Sequence, residues 1–63
     1  MPDVQSFPQG FIQGWRFIMG ERADVPEIPR PELIDGKTAY QSGLAKGLEV
    51  GLDTKQAVAT QHH

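Results

Sequence analysis

A chain of 63 residues with no cysteine and a net charge of −2 has room for one small domain, with no disulfide or thiolate metal site to brace it. Its mild acidity, with Arg16, Arg22, Arg30, Lys37, Lys46 and Lys55 scattered along the chain, argues against a general nucleic-acid binder, which would show a basic face. No apolar run approaches the ~20 residues needed to span a bilayer. The N-terminus also lacks the basic-then-apolar layout of a secretion signal, so a soluble cytoplasmic protein is expected.

In chain order, the first helix start signal is "SFPQ" at residues 6–9. It fits a capping box, in which a hydroxyl accepts a backbone N–H and a glutamine side chain reaches back to the cap. Pro8 falls in the first turn, where its missing N–H costs little. Apolar residues at 7, 11, 12, 15, 18 and 19 follow a helical period with a wide face. The expectation is a helix over 7–19, ended by Gly20 as the residue after the C-cap.

Residues 21–36, "ERADVPEIPRPELIDG", carry Pro26, Pro29 and Pro31, which forbid a regular helix and favour extended or polyproline conformations. Val25, Ile28, Leu33 and Ile34 are apolar enough to pack on a helix pair. Two readings stay open: a stiff linker that returns the chain, or an extended arm lying in a partner's groove. A second capping box, "TAYQ" at 38–41, then opens a helix expected over 39–50. Asp53 and Thr54 offer caps for a short third helix over 54–61, and Gly51 reads either as the end of the second helix or as part of its face.

That second helix holds the most informative pattern. Gly43, Gly47 and Gly51 recur every four residues, with Ala39 before them, while Tyr40, Leu44, Leu48 and Leu52 form the adjoining row. Residues four apart stack on one helix face. Glycine costs about 1 kcal/mol per position relative to alanine in a helix, so an offsetting interaction is required. Close backbone approach of a second helix supplies one. Gly10 and Gly14, flanked by Phe11 and Trp15, offer the matching half. The fold class expected is therefore all-α: a small antiparallel helical hairpin with a Pro-rich extended linker, within a single domain over 1–63.

Chemistry-bearing constellations are missing. The only histidines, His62 and His63, end the chain, where catalytic geometry cannot be held; weak metal binding or a purification-tag remnant accounts for them. Asp3, Glu21, Asp24, Glu27, Glu32, Asp35, Glu49 and Asp53 have no metal-loop spacing, and no glycine loop follows a strand to cradle phosphate. No enzyme, cofactor or small-molecule substrate is expected. Trp15 and Arg16 are of the residue types that dominate binding hot spots, although a Trp beside glycine on a helix also serves a core.

The units "FIQGWR" (Phe11 to Arg16) and "AYQSGLAKG" (Ala39 to Gly47) resemble the ribosome modulation factor family. Its members are very small two-helix proteins with a tyrosine–x–x–glycine helix and an aromatic–x–x–Gly–Trp–Arg helix. The resemblance covers about fifteen residues in two pieces. Here the two units come in the opposite order, the chain is acidic where the family is basic, and the linker is longer and richer in proline. The resemblance implies ribosome binding and carries over Phe11, Gly14, Trp15, Arg16, Tyr40 and Gly43 as helix-pair and contact residues. With Gly47 from the glycine row, these form the expected interaction surface. The function expected is a small regulatory or inhibitory protein docking on a larger cytoplasmic protein or ribonucleoprotein machine, with the ribosome as named candidate. The alternative is a structural accessory subunit filling a groove in a large assembly such as a phage particle. Homo-oligomerisation is open in either case.

Overall fold

The computed structural model describes residues 6–61, with side chains through Ala59; Asp3, His62 and His63 lie outside the described residues. Two helices, α1 (Ser6–Met19) and α2 (Ala39–Gln61), are joined by segment 20–38, which is extended over 23–34 between turns at 21–22 and 35–37. The all-α pair with a Pro-rich extended connection is thus as the sequence predicts.

Local chemistry sets the element ends. The Gly20 N–H donates to the Arg16 carbonyl at 2.8 Å, and Gly20 takes φ of 115°, a left-handed turn that releases the chain from α1 at little steric cost. At the start of α2 the capping box is formed in both directions. The Thr38 N–H donates to Gln41 Oε1 at 3.0 Å, and the Gln41 N–H donates to Thr38 Oγ1 at 3.1 Å. Two backbone donors that the helix cannot serve itself are thereby satisfied.

The direction of packing departs from expectation. Gly43 meets the backbone of Phe7 and Phe11, Gly47 meets that of Phe11 and Trp15, and Gly51 meets the Ile18 side chain. Positions on both helices rise together, so α1 and α2 run parallel, not antiparallel. A parallel pair forces the connection to travel back along the full length of α1. Segment 20–38 is extended enough to do so, because its prolines hold it open. The first half of this strap packs inward: Ala23, Val25 and Ile28 lie against the buried cluster of Phe7, Phe11 and Trp15, together with Met19 and Val50. Trp15 Nε1 donates to the Asp24 carbonyl at 2.9 Å, which pins the strap's start. Near its other end the Ile34 N–H donates to the buried Ser42 Oγ at 3.0 Å.

The expected end of the second helix at residue 50 is also corrected. α2 runs unbroken to Gln61, so the segment expected as a third helix is its last turns. Gly51 is a buried interior helical residue whose missing side chain leaves room for Ile18, not a cap.

Candidate interaction surface

The four glycines at 10, 14, 43 and 47 hold the helices at backbone contact. A Cβ at Gly10 would overlap the Tyr40 carbonyl oxygen, and one at Gly14 the Leu44 carbonyl oxygen. Reciprocally, Gly43 faces the Phe7 carbonyl and Gly47 the Phe11 carbonyl. Each glycine Cα hydrogen points where its Cβ would be, at a carbonyl oxygen of the other helix. Such Cα–H···O contacts contribute roughly 0.5–1 kcal/mol each. With the aromatic burial beside them they offset the ~1 kcal/mol per glycine lost in helix propensity.

The reciprocity of these contacts has a sequence counterpart that composition and helical period alone do not reveal. Residues 7–19 align position for position with 40–52: Phe7 with Tyr40, Gly10 with Gly43, Phe11 with Leu44, Gly14 with Gly47, Trp15 with Leu48, Phe17 with Val50, Met19 with Leu52. Gly10 lies against the Tyr40 carbonyl and the Leu44 nitrogen, and its counterpart Gly43 lies against the Phe7 carbonyl and the Phe11 nitrogen. The pair is therefore an internal repeat arranged about an approximate two-fold axis that runs between the helices and along them, isologous in the sense used for subunits.

This arrangement creates two equivalent faces with different fates. On one face, the α1 ridge Phe7–Phe11–Trp15 with Val50 across from it is the core, and the strap covers it. Phe7 and Phe11 are fully buried. On the other face, the α2 ridge Tyr40–Leu44–Leu48 with Phe17 across from it is open to solvent. Phe17 is 80% exposed and Tyr40 39%, and Leu52, next along the ridge, is 48% exposed. Among the described residues, Gln13, Phe17, Tyr40, Leu44 and Leu48 line a shallow groove of about 370 Å³, and none of these five is charged.

The residues singled out from sequence are divided by this geometry. Phe11, Gly14, Trp15, Gly43 and Gly47 are buried between the helices or under the strap; they build the scaffold and reach no partner without opening it. Tyr40 and Arg16 are exposed. Tyr40 stands at one end of the open groove. Arg16 lies on the strap side, where Nε approaches the Ala23 carbonyl at 3.4 Å. Phe17, Leu44 and Leu48 were missed as surface residues, and the internal alignment is the signal that finds them.

Among the described residues no three His, Cys, Asp or Glu side chains group to hold a metal ion, and no helix is long and apolar enough to cross a membrane. Comparison with protein-family models, curated proteins and solved structures found no match to this chain.

Proposed function

We propose that this chain is a non-enzymatic binding protein that docks on a larger cytoplasmic assembly through the face of the helix pair that the strap leaves open. One observation carries the reading: Phe17, Tyr40, Leu44 and Leu48 form a contiguous apolar groove, with Phe17 80% exposed, on a chain whose own buried core is confined to a few side chains. Apolar surface of this kind, rimmed by polar residues, marks interaction sites. A regulatory or inhibitory role on the ribosome is the specific form favoured by the resemblance of "FIQGWR" and "AYQSGLAKG" to the ribosome modulation factor family. Exposed Arg16, Arg22 and Arg30 are available for charged contacts, but the net charge of −2 favours a ribosomal protein surface over bare RNA phosphates.

A second reading, an accessory subunit filling a groove in a large assembly, is favoured by the uncharged character of the described groove lining. Salt separates the two. Co-sedimentation with purified ribosomes that falls steeply with added salt supports the first, and retention in a host assembly that tolerates salt supports the second. A chain that pellets with neither ribosomes nor any particle from the host, at low or high salt, overturns both.

A further inference from the structure

The approximate two-fold of the helix pair indicates what fits the open face. One face is already occupied, and its occupant is the strap: an extended segment, Ala23–x–Val25–x–x–Ile28, with proline at 26 and 29. We propose that the groove lined by Gln13, Phe17, Tyr40, Leu44 and Leu48 binds a second segment of the same chemistry, an extended proline-bearing peptide with small and β-branched apolar side chains, supplied by another protein.

Dimensions and direction agree with this occupant. The groove's lining on α2, from Tyr40 to Leu48, covers ~12 Å along the helix axis, which about four residues of polyproline backbone span, the length of the strap's Val25 to Ile28. The strap runs antiparallel to α1, so its counterpart runs antiparallel to α2, from the Leu52 end toward Tyr40. Preformed extended peptides laid across aromatic and aliphatic ridges form a recurring recognition mode, because little chain entropy remains to be lost. The Gln13 amide at the groove edge provides both a donor and an acceptor for a passing backbone.

The chain does not supply this occupant from its own described residues. Past Leu52, where the counterpart of Gly20 would turn the backbone, α2 continues as helix to Gln61. The strap is held elsewhere, by Trp15 at one end and Ser42 near the other. The inference rests on the docking reading above and specifies the partner's chemistry.

The test is titration of the full isotope-labelled chain with a synthetic peptide of residues 21–33, the strap's own sequence, followed by amide chemical shifts. Saturable shifts at Gln13, Phe17, Tyr40, Leu44 and Leu48 support the proposal, as does about a ten-fold weakening, or roughly 1.4 kcal/mol, in Phe17→Ser and Tyr40→Ser. Both side chains are exposed, so each variant is expected to keep the parent's helical circular dichroism. Replacing all three prolines of the peptide, Pro26, Pro29 and Pro31, with alanine should weaken binding several-fold through lost preorganisation. Three results overturn it: no shifts at the solubility limit; shifts confined to Trp15 and residues 23–28, which report exchange of the internal strap; or concentration-dependent dimerisation that buries Phe17 and Tyr40, which makes a second copy the occupant. Failure here leaves ribosome co-sedimentation free to succeed through another surface, so the two proposals fail separately.

Discussion

The first and second halves of α2 are continuous helix held by different forces. Residues 39–51 carry three glycines, each poor for helix, and are helical because α1 lies against them in backbone contact. Beyond Leu52, α1 has ended, and Lys55, Gln56, Ala57, Val58 and Ala59 are all exposed. There the helix persists on the intrinsic preference of alanine, lysine and glutamine, extending a nucleus that the paired half has already formed. Packing makes one half and propensity the other. The molecule's 48 Å long axis, against widths of 22 and 16 Å, reflects the resulting overhang.

Breaking the paired half should have the largest effect and should remove both halves together. Gly43→Leu and Gly47→Leu place a branched side chain where the Phe7 and Phe11 carbonyls sit. The expected outcome is loss of most helical circular dichroism and of any cooperative unfolding transition. Even alanine at these positions should destabilise by ~3 kcal/mol or more, because the obstacle is rigid backbone, despite the ~1 kcal/mol alanine gains in propensity. Retention of a parent-like melting curve in the leucine variants would remove the close-contact account of the fold.

Next in size is the strap's hold on the covered face. Trp15→Ala should cost about 3–5 kcal/mol in urea unfolding, through loss of a side chain that is 6% exposed and of the bond that pins Asp24. Trp15→Phe keeps most of the burial and loses that bond, so ~1 kcal/mol is expected. If the two variants are equally unstable, the anchor matters more than the packing.

How much of this was legible beforehand follows from the same division. Helix α1, a proline-rich extended connection, and the meeting of the 10/14 and 43/47 glycines were readable, because period, caps and side-chain volume are local properties. Helix direction was not. A row of glycines is equally smooth read either way, and only the strap's length, which suits a full return, bears on the choice. The end of α2 was misplaced for a related reason. Gly51 followed by Asp53 and Thr54 has the composition of a stop and a restart, and local signals cannot show that Ile18 of another helix requires the space at Gly51. The surface was the least legible part. Of the residues expected at the surface, Phe11, Trp15 and the glycines were taken up by the helix contact and the strap, and only Tyr40 reaches the open groove, beside Phe17, Leu44 and Leu48.

Removing residues 53–63 sharpens the comparison from the other side. Because the described side chains from Lys55 to Ala59 are exposed, the truncated chain should unfold with a free energy within about 1 kcal/mol of the parent, as surface changes generally do. Helical circular dichroism should fall only by the share of the deleted turns. A larger loss of stability would mean that the overhang contributes to the fold.

The smallest effect is expected at the boundary itself, with Gly51→Ala. Alanine gains ~1 kcal/mol of helix propensity over glycine in a helix interior. Against this, the new Cβ would sit 3.0 Å from Ile18 Cβ and 3.2 Å from its Cγ1, too close without a small adjustment. Ile18 lies near the end of α1 and is only partly buried, so a shift of a few tenths of an ångström is available to it, whereas the carbonyls facing Gly43 and Gly47 belong to the helix backbone itself. The two terms should nearly cancel, leaving the unfolding free energy within about 0.5 kcal/mol of the parent, the range of ordinary surface substitutions. Measured beside Gly47→Ala in the same row, the pair isolates what the facing atom is. One methyl set against a side chain is tolerated, and one methyl set against a peptide group is not. Equal destabilisation at 47 and 51 would mean that the row acts through flexibility of α2 rather than through contact with α1.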